Sequence, residues 1–209
     1  MNLSDTLQEY LDELSSNSPT PGGGNVSAFS GALACSLGIM VCGLTIGKKK
    51  YTDVEEDIKL VKEKLENKKA LFLELADKDN LAFDSVMSAF KLPKDNDEQK
   101  KHRSNEIEKA TLAAAEVPAR VVEICSYVLP LLGLLAEKGN QNSISDAGVA
   151  VSLVETAAQG AFLNVMINYD SLTDKTPANS LFINSGRMLQ EIRENTKNII
   201  TVITEGLAK

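Results

Sequence analysis

From Leu14 to Gly47 the chain carries no Asp, Glu, Lys, Arg or His, and three positive charges then arrive together at Lys48-Lys49-Lys50. An uncharged stretch with a basic flank has two physical outcomes. It crosses a bilayer, which takes about 20 apolar residues, or it forms a helix packed on all sides inside a protein. The residue types favour the second. The stretch leads into Pro19-Thr20-Pro21-Gly22-Gly23-Gly24-Asn25, which is turn chemistry. It continues through Ser27, Ala28, Ser30, Gly31, Ala32, Ala34 and Gly38. Side chains this small let neighbouring backbones approach closely, so residues 26–46 are expected to be the packed central helix of a bundle.

The rest of the chain reads in helices around that centre. Leu3, Leu7, Tyr10, Leu11 and Leu14 recur at helical spacing and predict an amphipathic helix over residues 3–15. Thr52-x-x-Glu55 has the form of a capping box at the head of a long helix that ends at Leu92-Pro93. Its apolar positions follow a heptad, Val54, Val61, Lys68, Leu75, Ala82 and Ala89 in one series and Ile58, Leu65, Phe72, Asp79 and Val86 in the other. Lys68 is long enough to snorkel out of that seam; Asp79 is not. Asp95-x-x-Glu98 opens the next helical region, which reaches about Glu137 and is expected to break or kink at Pro118 and Pro130. A loop at Gly139-Asn140-Gln141-Asn142 precedes a helix capped by Ser145 or Asp146 and running to about Asn168. A last helix spans residues 177–207, with a stripe of Leu181, Met188, Leu189, Ile192, Ile199 and Ile203. No repeat, strand run or linker interrupts the pattern. The expectation is one all-α domain over residues 1–209, a helical bundle with long antiparallel helices.

Composition narrows the function classes. At 209 residues with 43% hydrophobic and 24% charged residues, the chain can bury a substantial core. A net charge of −7 argues against a general nucleic-acid binder, which needs a basic face. Cys35, Cys42 and Cys125 form no CxxC pair and read as small buried hydrophobes in a reducing cytosol; with His102 the single histidine, no metal-ligand set is expected. The acidic, amphipathic N-terminus is not a secretory signal, so a cytoplasmic protein without a membrane partner is expected.

Four groups of residues carry possible chemistry. The Thr20–Ser27 segment is a glycine-rich turn into a helix N-terminus, which offers free N–H groups to an anion or carbonyl or is a plain interhelical turn. It lacks the Lys-Ser/Thr close of a phosphate-binding loop and has no preceding strand. Asp79, on an apolar seam, bears a desolvation cost that raises its pKa unless a cation pairs with it; it is a perturbed acid, one half of a buried ion pair, or a defect in the heptad. Asp77 lies off the stripe and reads as solvated. Asp146, Asn164 and Asn168 share a helix face whose small residues suit either a polar ligand cleft or buried amides bonding across helices. Lys48, Lys49 and Lys50 either cap a helix end or attract an anionic substrate.

Taken in order, Pro19-Thr20-Pro21-Gly22-Gly23-Gly24, Gly47-Lys48-Lys49-Lys50-Tyr51, Asp79 through Phe83 with Met87, Leu92-Pro93-Lys94, Arg103, Ala114 with Val117-Pro118, Gly139-Asn140, Ser145-Asp146 and Asn164-Val165-x-Ile167-Asn168 resemble the tetrahydrofolate cyclodeaminase/cyclohydrolase family. The resemblance covers nearly the whole chain. It implies a homodimeric enzyme acting on a tetrahydrofolate derivative with no tightly bound cofactor and no metal. The implied reaction closes 5-formimino-tetrahydrofolate to 5,10-methenyl-tetrahydrofolate with loss of ammonia. The alternative is the cyclohydrolase reaction between 5,10-methenyl- and 10-formyl-tetrahydrofolate, and a non-catalytic helical scaffold is the reading from outside enzymology. The family's catalytic carboxylate falls at Asp79, with Asp77 the competing position. Substrate binding falls to Pro21, Gly22, Gly23, Gly24, Lys48, Lys49, Lys50, Asn140, Asp146, Asn164 and Asn168.

Overall fold

The computed structural model describes residues 6–208, and among them there are six α-helices and no strand. They are α1 (Leu7–Leu14), α2 (Gly23–Thr45), α3 (Glu55–Phe90), α4 (Asp97–Lys138), α5 (Ile144–Ser171) and α6 (Asn179–Leu207). The part of the first amphipathic helix placed on Leu3 lies outside the described residues.

The fold follows from four long helices whose apolar faces need mutual cover. α2 packs on α3, α3 on α4, α4 on α5 and α5 back on α2, closing a ring, while α6 lies outside against α4 and α5. By length and composition α2, α4 and α5 are each apolar enough to cross a membrane, and here each turns a buried face into the bundle. The core is built from Val41, Ile58, Leu65, Phe72, Ile124, Val128, Leu132, Val154 and Ile192, all nearly or fully buried. The small residues of α2 set its distance from α3. A methyl group added at Gly31 would lie 2.6 Å from the Phe72 ring, so glycine at this position is what lets that ring pack.

Several local expectations are refined. α2 starts at Gly23 rather than Val26, because the glycines themselves enter its first turn. Thr52-x-x-Glu55 forms no capping box. Residues Lys49–Val54 are a 3₁₀ turn in which the Thr52 hydroxyl donates to the Lys49 carbonyl (2.9 Å), and the Glu55 carboxylate accepts from Gly47 N–H (3.1 Å). The α4 cap sits at Asn96, whose side chain accepts from Gln99 N–H. α4 runs from Asp97 to Lys138 through Pro118 and Pro130 without a break, since each proline removes one ladder bond and packing against α2, α3, α5 and α6 holds the rest. Pro177 lies in a 3₁₀ turn just before α6.

Candidate active site

α2 begins opposite the middle of α3, so α3 continues past Asp79 for about 16 Å, at 1.5 Å per residue, beyond the start of its neighbour. This overhang, the glycine turn and the C-terminal end of α5 enclose a cleft of about 360 Å³. That volume lies within the range of about 300–1,000 Å³ typical of small-molecule sites. The walls are Pro19, Thr20 and Gly22–Gly24 on one side, Asp79, Ala82, Phe83 and Val86 from α3, Ala114 from α4, and Asn164, Ile167, Asn168 and Ser171 from α5. A larger groove of about 600 Å³ between α3 and α4 is wide open and contains none of the residues expected to catalyse or to bind substrate.

Among the described residues Asp79 is the single charged one lining the cleft. Burial pushes its carboxyl above the ordinary value, and the neighbouring backbone N–H of Asn25 pulls in the opposite direction. That N–H is one of the donors left free at a helix start. The first intrahelical bond of α2 runs from Val26 N–H to the Gly22 carbonyl, and Gly22 has no side chain to cap the end. Asp79 therefore sets its carboxylate at the open start of α2 from another helix. The approach is close: a methyl group at Gly24 would sit 2.6 Å from Asp79 Cγ, so the third glycine of the turn is required by the carboxylate it faces.

Asn25 is buried, with 2% of its surface exposed, and holds three helices together. Its Oδ1 accepts from the Tyr10 hydroxyl of α1 (2.8 Å), and its Nδ2 donates to the Ala76 carbonyl of α3 (2.8 Å), one turn before Asp79. Opposite, Asn164 Nδ2 donates to the Gly160 carbonyl (2.9 Å), and Asn168 Nδ2 donates to the carbonyls of Asn164 (2.9 Å) and Ala114 (3.3 Å). Both amides thus have their donor ends tied to backbone. Among the described residues neither Oδ1 receives a hydrogen bond, which leaves two oriented acceptors on the cleft wall.

The structure thus brings together Gly22, Gly23, Gly24, Asp79, Asn164 and Asn168, with Pro21 buried in the same turn. Lys48, Lys49, Lys50, Asn140 and Asp146 lie elsewhere in the chain's fold. They gather at the other end of α2, which is 23 residues or about 33 Å long. There Asn140 is structural: its N–H donates to Thr45 Oγ1 and its Nδ2 to the Leu44 carbonyl, both at 2.9 Å. Gln141 N–H donates to the Tyr51 hydroxyl, which ties this loop to the segment carrying the exposed lysines. Asp146 lies in the first turn of α5. Asp77 does not line the cleft. Sequence reasoning missed Tyr10 and Asn25. An asparagine directly after three glycines, at the third position of a helix with no side-chain cap, was the available signal.

A helical bundle with one half-buried carboxylate, a glycine turn and two asparagine acceptors around a ligand-sized cleft has the form of an enzyme for a small molecule, and the comparisons with known proteins say of which family. The family model described as Formiminotransferase-cyclodeaminase matches residues 6–182. The chain is 42% identical over 201 residues to a methenyltetrahydrofolate cyclohydrolase of Methylorubrum extorquens, covering 93% of this chain and 97% of that one. It is 32% identical over 172 residues to the formimidoyltransferase-cyclodeaminase of Rattus norvegicus, covering 82% of this chain and 32% of that longer protein. The crystal structure of a formiminotetrahydrofolate cyclodeaminase from Thermotoga maritima superposes with a TM-score of 0.81 at 32% identity, covering 98% of this chain and 96% of that one. The chain belongs to the formiminotransferase-cyclodeaminase family, the cyclodeaminases and cyclohydrolases of folate one-carbon metabolism.

Proposed function

We propose that this protein is a formimidoyltetrahydrofolate cyclodeaminase that works at the Asp79 cleft. The observation that carries the reading is a half-buried carboxylate set at the start of α2 and facing a cleft that among the described residues is otherwise uncharged, where burial raises its pKa. In the reaction N10 of 5-formimino-tetrahydrofolate attacks the formimino carbon, whose nitrogen is protonated as an iminium, giving a tetrahedral carbon bonded to N5, N10 and an amino group. N10 loses its proton, the C–N bond to the amino group breaks, and ammonia leaves with a proton, forming the 5,10-methenyl product. The Asp79 anion takes the N10 proton and the acid form protonates the departing nitrogen; a carboxyl poised nearer to neutrality performs both better than an ordinary one. Asn164 Oδ1 and Asn168 Oδ1 suit the N–H donors along the pterin edge, and the free N–H groups of the glycine turn suit its carbonyl.

The full-length similarity to the Methylorubrum cyclohydrolase favours a second reading. Water, deprotonated by the same carboxylate, attacks the methenyl carbon, and the N5–C bond then opens to 10-formyl-tetrahydrofolate. Giving purified protein each folate separately, and following methenyl absorbance together with free ammonia, distinguishes the two. Ammonia release from the formimino substrate supports the first; methenyl hydrolysis alone selects the second.

The proposal extends to a cytoplasmic homodimer with no tightly bound cofactor. The outward face of α2 supports the dimer. Leu33, Met40 and Leu44 are more than 40% exposed along it, Leu37 lies between them, and the helix has no charged residue. A second copy packed antiparallel on that face carries its Lys48, Lys49 and Lys50 toward the first copy's cleft, where they can bind the glutamate tail.

A further inference from the structure

We propose that Asn25 is the positioning residue for Asp79 and that Tyr10, on α1, locks it in that role. The inference rests on the reading of Asp79 as the acid–base group and adds two residues that do not touch the cleft chemistry themselves.

The Asn25 amide has no freedom. Its oxygen faces a hydroxyl that donates and its nitrogen faces a carbonyl that can only accept, so exchanging the two ends loses the bond to Ala76. The amide is 2% exposed, and no water competes for either bond. Through Ala76 it fixes α2 against α3 one turn before Asp79, and the adjoining Gly24 lies directly against the Asp79 carboxylate, so the backbone N–H of Asn25 stands beside that carboxylate and favours its anion. A simple clip between helices needs only the first of these. The coincidence of both in one residue sets where the carboxylate lies and how strongly its anion is supported.

Tyr10 completes the lock. Its side chain is nearly buried, its ring packs on Phe29 with centroids 5.2 Å apart, and its hydroxyl is the donor to Asn25 Oδ1. α1 has eight residues, too few to be stable alone. A short capped helix that delivers a buried phenol to the residue behind the catalytic carboxylate makes α1 part of the active site's support. Among the described residues no other charge intervenes. The cleft walls from the glycine turn, α4 and α5 are uncharged, Asp77 and Lys78 on α3 lie outside the cleft, and the titratable group of α1 directed at this network is the Tyr10 phenol.

The test uses the full chain with Tyr10→Phe, which removes one hydroxyl, and Asn25→Ala. The Asp79 carboxyl is titrated by carbon-13 NMR, assigned by difference from Asp79→Asn. Turnover of the two folates is followed against pH. Both variants should titrate at higher pH than the parent, because the donor that stabilises the anion is no longer held in place. For Tyr10→Phe, kcat should fall about fivefold, the scale of one neutral hydrogen bond, with KM within about twofold and the Asp79 limb of the profile displaced upward. A folded Tyr10→Phe variant with the parent's titration and pH profile overturns the proposal and leaves Asn25 a structural clip. If Asn25→Ala does not fold, Tyr10→Phe decides alone. If the parent turns over neither folate while the Asp79 titration still moves in Tyr10→Phe, the reaction assignment fails and the positioning role stands.

Discussion

At Asp79 two effects act on one carboxyl group. Burial disfavours its anion, the N–H of Asn25 favours it, and burial wins. The consequence for stability has a definite sign. An acid whose folded-state pKa is raised makes no difference below the unfolded value of 3.8, where both states hold the proton, and destabilises the fold as pH rises through the higher folded value. Asp79→Asn is therefore expected to melt above the parent at neutral and alkaline pH, and at the same temperature below pH 3.8. An equal melting temperature at all pH values would mean the carboxyl is not perturbed. This residue was legible because a carboxylate on a heptad seam breaks a strong pattern. Asn25 was not, since an asparagine after glycines is ordinary turn chemistry, and its partners Tyr10 and Ala76 lie 15 and 51 residues away in the chain.

On the scale of helices, hydrophobic period and small-residue content were enough to place α2 through α6. Helix ends were harder to read. Caps depend on single hydrogen bonds, and a tertiary partner redirected one of them: Glu55 serves Gly47, while the Asp79 carboxylate of α3 stands at the uncapped start of α2. The snorkelling expectation for Lys68 has a specific form, its ammonium lying 5.2 Å from the centroid of the Tyr127 ring. The contact most sensitive to size is between α2 and α3. Gly31→Ala places a methyl group against the fully buried Phe72 ring, and the expected loss in chemical denaturation is about 1–3 kcal/mol, the usual range for overpacking a tight core. A loss near zero would mean that α2 and α3 can separate without penalty.

For the molecule as a whole, the central question is distance. The proposed binding residues divide between the two ends of a helix about 33 Å long. The helix expected over residues 26–46 already implied this separation, since a straight helix parts residues 22–24 from residues 48–50. The antiparallel dimer removes the difficulty and makes a clear prediction. The protein should sediment at twice the 22.5 kDa chain mass, and Met40→Glu, which puts a charge on the exposed face of α2, should shift it to the monomer. Replacing Lys48, Lys49 and Lys50 with Gln should weaken binding of polyglutamylated folate, most strongly at low salt, where the attraction is least screened. A parent that sediments as a monomer would contradict the dimer.

The most direct test of the account is the turnover of Asp79→Asn beside that of Asp77→Asn. Asparagine keeps the size of the side chain and its place at the head of α2 but cannot exchange a proton. Asp79→Asn should retain folate binding while kcat falls by about 10²-fold or more, the scale expected for loss of a general acid–base group. Asp77, which does not line the cleft, should tolerate the same change with nearly parental turnover. An active Asp79→Asn beside an inactive Asp77→Asn would contradict the assignment of the chemistry to this cleft.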